Sequence, residues 1–142
     1  GLGESGISAI LATVIIGPVA EELIFRGLTV EYLKRAGASF WVINILQALF
    51  FGIAHLNLVQ GSYAFLIGLL AGYLVLRCRS IWAGIAFHML FNVYYLVEPL
   101  VVGALGFLPE VLQVICLVVF GLLLVALPLR RLIRDTKERT IE

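Results

Sequence analysis

The stretch Ile15-Ile-Gly-Pro-Val-Ala-Glu-Glu-Leu-Ile-Phe-Arg26 places Glu21, Glu22 and Arg26 inside a long apolar segment. A charged side chain at the centre of a membrane-spanning helix costs at least ~2.5–3.5 kcal/mol on insertion scales. We therefore expect these charges to be paired with one another, to take part in a functional site, or both. This stretch is the most informative feature of the sequence for both the fold and the function.

The composition of the whole chain is that of a membrane protein. Of its 142 residues, 62% are apolar and 13% are charged, whereas a typical soluble domain has roughly 45–50% apolar and 25% charged residues. The formal net charge is only +1, which gives no electrostatic case for binding nucleic acid. We predict an all-α, polytopic transmembrane helix bundle with a polar site inside it and the lipid bilayer around it.

Apolar runs separated by Gly, Pro, Ser and charged residues predict about five membrane-embedded helices. Gly17-Pro18 interrupts the first one, and we expect a kink there because Pro18 has no N–H for the carbonyl of Val14. Gly68-Leu-Leu-Ala-Gly72 in the third is a small-xxx-small pattern, which favours close helix packing in lipid. The predicted helices are residues 7–35, 39–55, 62–76, 81–97 and 109–127.

Residues 1–129 are predicted to form the membrane-embedded core, followed by a charged tail at 130–142. The chain begins Gly-Leu-Gly, without Met or a basic n-region. We therefore expect no signal peptide, and we expect further N-terminal helices in a longer protein.

Basic residues cluster at alternate helix ends. The clusters are Lys34/Arg35, Arg77/Arg79 and Arg130/Arg131/Arg134, and the connections between them hold only Glu98 and Glu110. The positive-inside rule predicts that the basic ends and the tail are cytoplasmic. In a prokaryote the membrane would be the plasma membrane.

Glu22 and Arg26 are i,i+4 neighbours with the acid N-terminal, the favoured order for a helical salt bridge. Glu21 points about 100° away around the helix. One acid can therefore be neutralised by Arg26 while the other faces a cavity. The alternative is a buried ion triad with a purely structural role.

Two further i,i+4 pairs, Phe51-x-x-x-His55 and His88-x-x-x-Asn92, each place polar or aromatic side chains on one helix face. At ~1.5 Å per residue from the cytoplasmic ends, Glu21 lies roughly 20 Å deep, His55 24 Å, Asn92 16 Å and His88 10 Å. Taken singly, His55 could be an interfacial residue, and Asn92 could form a hydrogen bond to a neighbouring helix. Polar groups from three helices nevertheless fall within the hydrocarbon layer, and we expect them to form one site.

This set of side chains is suited to the attack of water on an amide. A Glu and a His together can hold a water molecule whose proton the carboxylate takes. An Asn amide and a His N–H can donate to the developing oxyanion, an effect often worth ~3–4 kcal/mol per donor. The sequence has no Gly-x-Ser-x-Gly motif and no evident Ser-His pair.

The order and spacing of Glu21-Glu22-x-x-x-Arg26, Phe51-x-x-x-His55 and His88-x-x-x-Asn92 resemble the CPBP family. This family comprises the type II CAAX prenyl proteases and their prokaryotic relatives, also called Abi proteins. The resemblance covers residues 18–92. It implies a glutamate-dependent intramembrane endopeptidase that acts near the C-terminus of a membrane-tethered substrate, such as a prenylated CAAX protein.

The resemblance also implies a role for each motif residue. Glu21 would activate water together with His55, His88 and Asn92 would form the oxyanion site, and Glu22, Arg26 and Phe51 would support them. A metal-free site with no cofactor is implied.

Two other interpretations remain open at this point. Glu21, His55 and His88 could form a zinc site with an open position for water. Alternatively, the polar cluster could belong to a proton or ion carrier, or to a non-catalytic membrane binding or immunity protein. A carrier should tolerate the loss of Asn92 better than a hydrolase does. The sequence predicts no particular oligomeric state.

Overall fold

The computed structural model describes residues 4–109 and residue 112, and within them the secondary structure is entirely helical. Four apolar helices follow one another, which confirms the predicted helical membrane bundle. Helix α1 runs from Glu4 to Arg35, α2 is Phe40–Ala54, α3 is Leu58–Cys78 and α4 is Ile81–Ala104. Within α1, the α-helical segments are Glu4–Leu11, Gly17–Glu22 and Val30–Arg35. The π-helical segments between them are Ala12–Ile16 and Leu23–Thr29.

Three of the described helices are long and apolar enough to cross a membrane: Gly6–Arg35 within α1, then α3 and α4. The 21 residues of α3 cover about 31 Å at ~1.5 Å per residue, which matches a hydrocarbon layer of ~30 Å. Helix α2 has 15 residues and covers only about 22 Å on the same rise. By itself it is therefore shorter than that layer.

The backbone of α1 departs from a regular α-helix on both sides of the glutamate pair. The N–H of Gly17 donates to the carbonyl of Ala12, an i→i−5 bond typical of a π-helix. This π-helical segment ends immediately before the Gly17-Pro18 pair for which the sequence predicts a kink. The second one, Leu23–Thr29, begins directly after Glu22 and contains Arg26. Such π-bulges are frequent at functional sites.

The end of α1 agrees with the sequence prediction. Gly37 has a φ of +76°, a left-handed conformation that glycine adopts without a steric penalty. The N–H of Ala38 reaches back to the carbonyl of Leu33 at 3.1 Å. The chain therefore leaves α1 through a glycine C-cap.

The predicted ends of two helices are wrong. Helix α3 begins at Leu58 rather than at residue 62, because the side chain of Asn57 caps it by accepting a 2.9 Å hydrogen bond from the Gln60 N–H. Helix α4 continues past residue 97 to Ala104, with Pro99 inside it. A proline is tolerated in a membrane helix because neighbouring groups can satisfy the carbonyl it leaves free.

Helices α2 and α3 pack with their backbones in close contact. A Cβ added at Gly52 would lie 2.7 Å from the carbonyl oxygen of Gly61, and one added at Gly61 would lie 2.8 Å from that of Gly52. Further along, a Cβ at Gly68 would lie 3.1–3.2 Å from Ala48. The small-residue face predicted for α3 is thus its contact with α2, as expected for helices packing in lipid.

A buried amide network joins the same two helices, and sequence reasoning did not find it. Gln47 Nε2 donates to the carbonyl of Gly68 at 2.9 Å, and Asn44 Nδ2 donates to that of Leu69 at 3.1 Å. Gly72 leaves the room these amides occupy, because a Cβ there would collide with both of them. The network fixes the register of α2, which carries Phe51 and His55.

The chain divides into two compact units, Gly1–His88 and Met89–Glu142. Within the described residues, the first unit contains α1, α2, α3 and the beginning of α4, and the second contains the remainder of α4. The predicted fifth helix at 109–127, the tail at 130–142 and the boundary after residue 129 lie, apart from residues 109 and 112, outside the described residues. They remain predictions.

Candidate functional site

Glu22 and Arg26 form the buried core of the site. Arg26 Nη1 lies 3.0 Å from Glu22 Oε1, and both side chains are completely inaccessible to solvent. The salt bridge predicted from their i,i+4 spacing is therefore present. Removing either partner would leave the other charge buried and unpaired, which is strongly destabilising.

His88 brings helix α4 against both glutamates of α1. Its Nδ1 lies 3.0 Å from Glu22 Oε1, and its Nε2 lies 3.6 Å from Glu21 Oε2. The imidazole is also buried, with only 8% of the side chain exposed. One histidine ring thus stands between two carboxylates that are adjacent in sequence but differ in their surroundings.

Gly84 makes this approach of α4 to α1 possible. A Cβ at this position would lie 2.5 Å from Glu22 Oε2 and 2.6 Å from Val75 Cγ2. Any larger residue would push the carboxylate of Glu22 away from Arg26 and His88. Gly84 was missed by sequence reasoning, although its i,i+4 spacing from His88 places both residues on the same face of α4.

Glu21 is the more accessible of the two acids. Its side chain is 40% exposed, and its 3.6 Å contact with His88 is longer than a good hydrogen bond. Glu22, by contrast, is already occupied by Arg26 and His88. Glu21 is therefore the carboxylate that is accessible to water.

Phe51 joins the polar side chains of the site through its ring. The guanidinium carbon of Arg26 lies 4.3 Å from the ring centroid, a cation–π contact of the kind worth about 2 kcal/mol when desolvated. The rings of His55 and His88 lie 4.8 Å and 5.6 Å away, both nearly perpendicular to it. Phe25, a further residue that the sequence did not indicate, packs edge-on at 5.2 Å.

His55 ends helix α2 with one ring nitrogen bound to the backbone. Its Nδ1 lies 2.8 Å from the carbonyl oxygen of Phe51. A carbonyl only accepts hydrogen bonds, so in this contact Nδ1 carries the proton. The side chain is half-buried, so part of it is accessible to water.

The described contacts thus connect most of the predicted site residues within the first unit. The connected residues are Glu21, Glu22, Arg26, Phe51, His55 and His88. The described contacts pair Glu21 with His88, and they join His55 to the cluster through Phe51. Asn92 lies on α4 in the second unit, and its part in the site remains a prediction.

The alternative of a zinc site at Glu21, His55 and His88 stays open. Among the described residues, no group of three or more His, Cys, Asp or Glu side chains is arranged to hold a metal ion.

These features define a class of protein: a helical membrane protein with a buried acid, arginine and histidine site between its helices. The family model described as Type II CAAX prenyl endopeptidase Rce1-like matches residues 3–94, and this match includes every predicted site residue. The chain belongs to this family.

A curated relative of the chain carries the name of a membrane peptidase. "Putative membrane peptidase YdiL" of Bacillus subtilis (strain 168) is 28% identical to the chain over 91 residues, which is 64% of this chain and 37% of the relative. The chain thus spans little more than a third of the length of that protein. No solved structure matches the chain.

Proposed function

We propose that the chain is an intramembrane endopeptidase that hydrolyses a peptide bond near the C-terminus of a membrane-tethered substrate, such as a prenylated CAAX protein. The observation that carries the proposal is the unequal pair of glutamates. Glu22 is fully buried and bound by Arg26 and His88, whereas Glu21 is 40% exposed beside the same histidine. One acid is thus structural, and its neighbour is available as a general base.

In the proposed mechanism, Glu21 and His55 hold a water molecule, and Glu21 takes its proton. The resulting hydroxide attacks the carbonyl carbon of the scissile bond, and the carbonyl oxygen becomes an oxyanion. The side-chain amide of Asn92 stabilises this oxyanion by donating a hydrogen bond, and His88 does so from Nε2 with both of its ring nitrogens protonated. The tetrahedral intermediate then collapses, the C–N bond breaks, and Glu21 returns its proton to the leaving amine.

The supporting residues would keep these groups in place. Glu22 holds Nδ1 of His88 at 3.0 Å, so the other ring nitrogen is directed towards Glu21. Arg26 neutralises Glu22, and the ring of Phe51 lies against Arg26, His55 and His88. Such positioning matters because small displacements from the reactive geometry can lower a rate by about 100-fold.

The setting of the reaction is also proposed. The protein would be a multi-pass membrane protein with its basic helix ends and C-terminal tail in the cytoplasm. Its partners would be the bilayer and a membrane-anchored protein or peptide, not nucleic acid, and the reaction would need no cofactor. A prenyl chain could remain in lipid while the adjacent peptide enters the polar site.

The experiment that tests this proposal is cleavage of a farnesylated CAAX peptide by the purified protein in lipid vesicles. Glu21→Gln should abolish cleavage with little loss of thermal stability, because Glu21 is not part of the buried ion pair. Glu98→Gln, which removes a carboxylate elsewhere on α4, is the matched control and should remain active. Substantial cleavage by Glu21→Gln would refute the assignment of the general base.

Two further measurements in the same cleavage assay distinguish the metal-free hydrolase from the zinc and non-catalytic alternatives. A zinc chelator should leave the rate unchanged, and inhibition that added zinc reverses would establish a metalloenzyme instead. Asn92→Ala should lower the rate about 100-fold or more, as expected for the loss of an oxyanion donor. If the wild-type protein cleaves nothing, the CAAX substrate is wrong and a non-catalytic binding role gains support.

A further inference from the structure

Gln47 lies at the centre of the polar contact between α2 and α3. Its side chain is fully buried. Its Nε2 donates to the backbone carbonyl and the side-chain oxygen of Asn44 at 2.8 and 3.0 Å, and to the carbonyl of Gly68 at 2.9 Å. All three partners are acceptors, which fixes the orientation of the amide. Of these three hydrogen bonds, the one to Gly68 crosses to α3.

The same carbonyl binds the arginine of the proposed active site. Arg26 Nη2 donates to the carbonyl oxygen of Gly68 at 3.4 Å. In the described part of the chain, Nε and Nη1 of this arginine have no hydrogen-bond partner, and Nη1 forms the ion pair with Glu22 at 3.0 Å. The guanidinium is therefore held between a carboxylate on its own helix and a carbonyl on α3 that Gln47 also binds.

A continuous series of contacts thus connects Gln47 to the reacting groups. Gln47 and Arg26 share the carbonyl of Gly68. Arg26 pairs with Glu22, which lies 3.0 Å from Nδ1 of His88. The other ring nitrogen of this histidine is 3.6 Å from the proposed general base. A displacement of the shared carbonyl would therefore be passed on to the groups that carry out the reaction.

The amide of Gln47 is an expensive way to pack two helices. Its Oε1 is buried and has no hydrogen-bond partner among the described residues, and a buried polar atom left unpaired is destabilising. Asn44 already joins the same helices by donating to the carbonyl of Leu69 at 3.1 Å. Helix packing alone therefore explains Asn44 better than it explains Gln47.

We infer that Gln47 is a positioning residue for the proposed reaction and acts on Arg26 through the carbonyl of Gly68. The inference rests on the proposed function, because it concerns the same site. By holding this carbonyl, Gln47 determines where the guanidinium lies, and hence where Glu22 holds the imidazole of His88. Gln47 is fully buried and does not contact the substrate. Its loss should therefore lower kcat and leave KM unchanged.

The first test compares Gln47→Met with Asn44→Leu in the cleavage assay. Both changes replace a buried amide at the same helix contact by an apolar side chain of similar size. Asn44→Leu is the matched control, because Gln47 keeps its hydrogen bonds to the backbone carbonyl of residue 44 and to Gly68. Gln47→Met should lower kcat about 10- to 100-fold, as expected for a small displacement of reacting groups, with KM within about twofold, and Asn44→Leu should lower kcat less than about threefold.

The second test needs no substrate. Arg26→Lys keeps a cation beside Glu22 but loses the planar fork that reaches Glu22 and Gly68 together. Unfolding equilibrium constants in detergent micelles are measured for Gln47→Met, Arg26→Lys and the double variant. The effects of the two changes should depend on each other by on the order of 10-fold, as for residues that share a partner, whereas Asn44→Leu and Arg26→Lys should be independent within about twofold.

The outcomes separate this inference from the proposed function. Equal losses of kcat in Gln47→Met and Asn44→Leu would overturn the positioning role and leave the endopeptidase intact. Independent effects of Gln47→Met and Arg26→Lys on unfolding would overturn the connection through Gly68. If the wild-type protein cleaves nothing, the unfolding measurement alone decides, and mutual dependence supports the inference.

A second variant covers the case in which Gln47→Met does not fold. Gln47→Asn keeps an amide at this position, but its side chain is one methylene shorter and cannot hold the Gly68 carbonyl in the same way. It should show the same selective loss of kcat and the same dependence on Arg26→Lys. Wild-type kcat in Gln47→Asn would overturn the inference.

Discussion

Glu21 and Glu22 have opposite environments although they are neighbours in the chain. Helix geometry separates their side chains by about 100°, so only Glu22 can face Arg26 at i+4. The structure adds His88, which binds Glu22 at 3.0 Å and contacts Glu21 at 3.6 Å. Two chemically identical residues thereby acquire different roles, one in holding the site together and one in facing water.

The chain contains two Glu-Arg pairs at i,i+4 on α1 that differ almost only in burial. Both partners are fully buried in Glu22–Arg26, whereas the side chains are 78% and 55% exposed in Arg35–Glu31. Arg26→Ala should lower the free energy of unfolding by ~3–5 kcal/mol, because it leaves a buried carboxylate unpaired. Arg35→Ala should cost at most ~1 kcal/mol.

Denaturant unfolding in detergent micelles measures both variants under the same conditions. Equal losses of stability would contradict the buried, charged state of the Glu22–Arg26 pair. The comparison needs no substrate, so it holds whatever the protein cleaves.

At the scale of elements, the contact between α2 and α3 positions the aromatic and imidazole side chains of the site. Glycines bring the two backbones together, and the amides of Asn44 and Gln47 bind carbonyl groups of α3. Phe51 lies on the same part of α2, since a Cβ at Gly68 would lie 3.2 Å from its ring. Separating these helices should therefore disturb the site as well as the fold.

Gly52→Ala tests this helix contact. The new Cβ would lie 2.7 Å from the carbonyl oxygen of Gly61, and a backbone atom cannot rotate away as a side chain can. We expect a loss of about 1–3 kcal/mol in the free energy of unfolding, as for other overpacked sites, together with reduced turnover.

Gly103→Ala is the matched control, because a Cβ there meets no atom within 4 Å. It should be neutral or stabilising by up to ~1 kcal/mol through helix propensity. If Gly52→Ala is as stable as this control in the same unfolding measurement, the backbones are not in close contact.

Counting residues along the helices misplaced two of the site residues relative to each other. Glu21 and His88 differ by roughly 10 Å in depth when counted at ~1.5 Å per residue from the basic ends, yet their side chains are 3.6 Å apart. The count assumes straight helices whose ends lie level. Helix α1 contains two π-helical segments, and nothing in its sequence fixes the height of its end relative to that of α4.

For the whole molecule, the alternation of basic helix ends predicts the orientation in the membrane. The ends at Lys34/Arg35 and Arg77/Arg79 should be cytoplasmic, and the connection between α2 and α3, together with Gln60 in the first turn of α3, should face the opposite side.

Cysteine labelling in oriented vesicles tests this topology. In a background of Cys78→Ser and Cys116→Ser, a membrane-impermeant maleimide should react with Ala36→Cys only in inside-out vesicles. Gln60→Cys should react only in right-side-out vesicles, and each variant serves as the control for the other. The reverse pattern would invert the predicted orientation.

The sequence alone determined the membrane class, the order of the helices, the Glu22–Arg26 pair and the family, because hydrophobicity and i,i+4 spacing are local properties. The tertiary structure decided which residues meet across helices. It brought His88 to the two glutamates, placed Gly84 against Glu22 and used Asn44 and Gln47 to join α2 to α3. These contacts depend on the relative height and rotation of packed helices, which arise from interactions between segments distant in sequence.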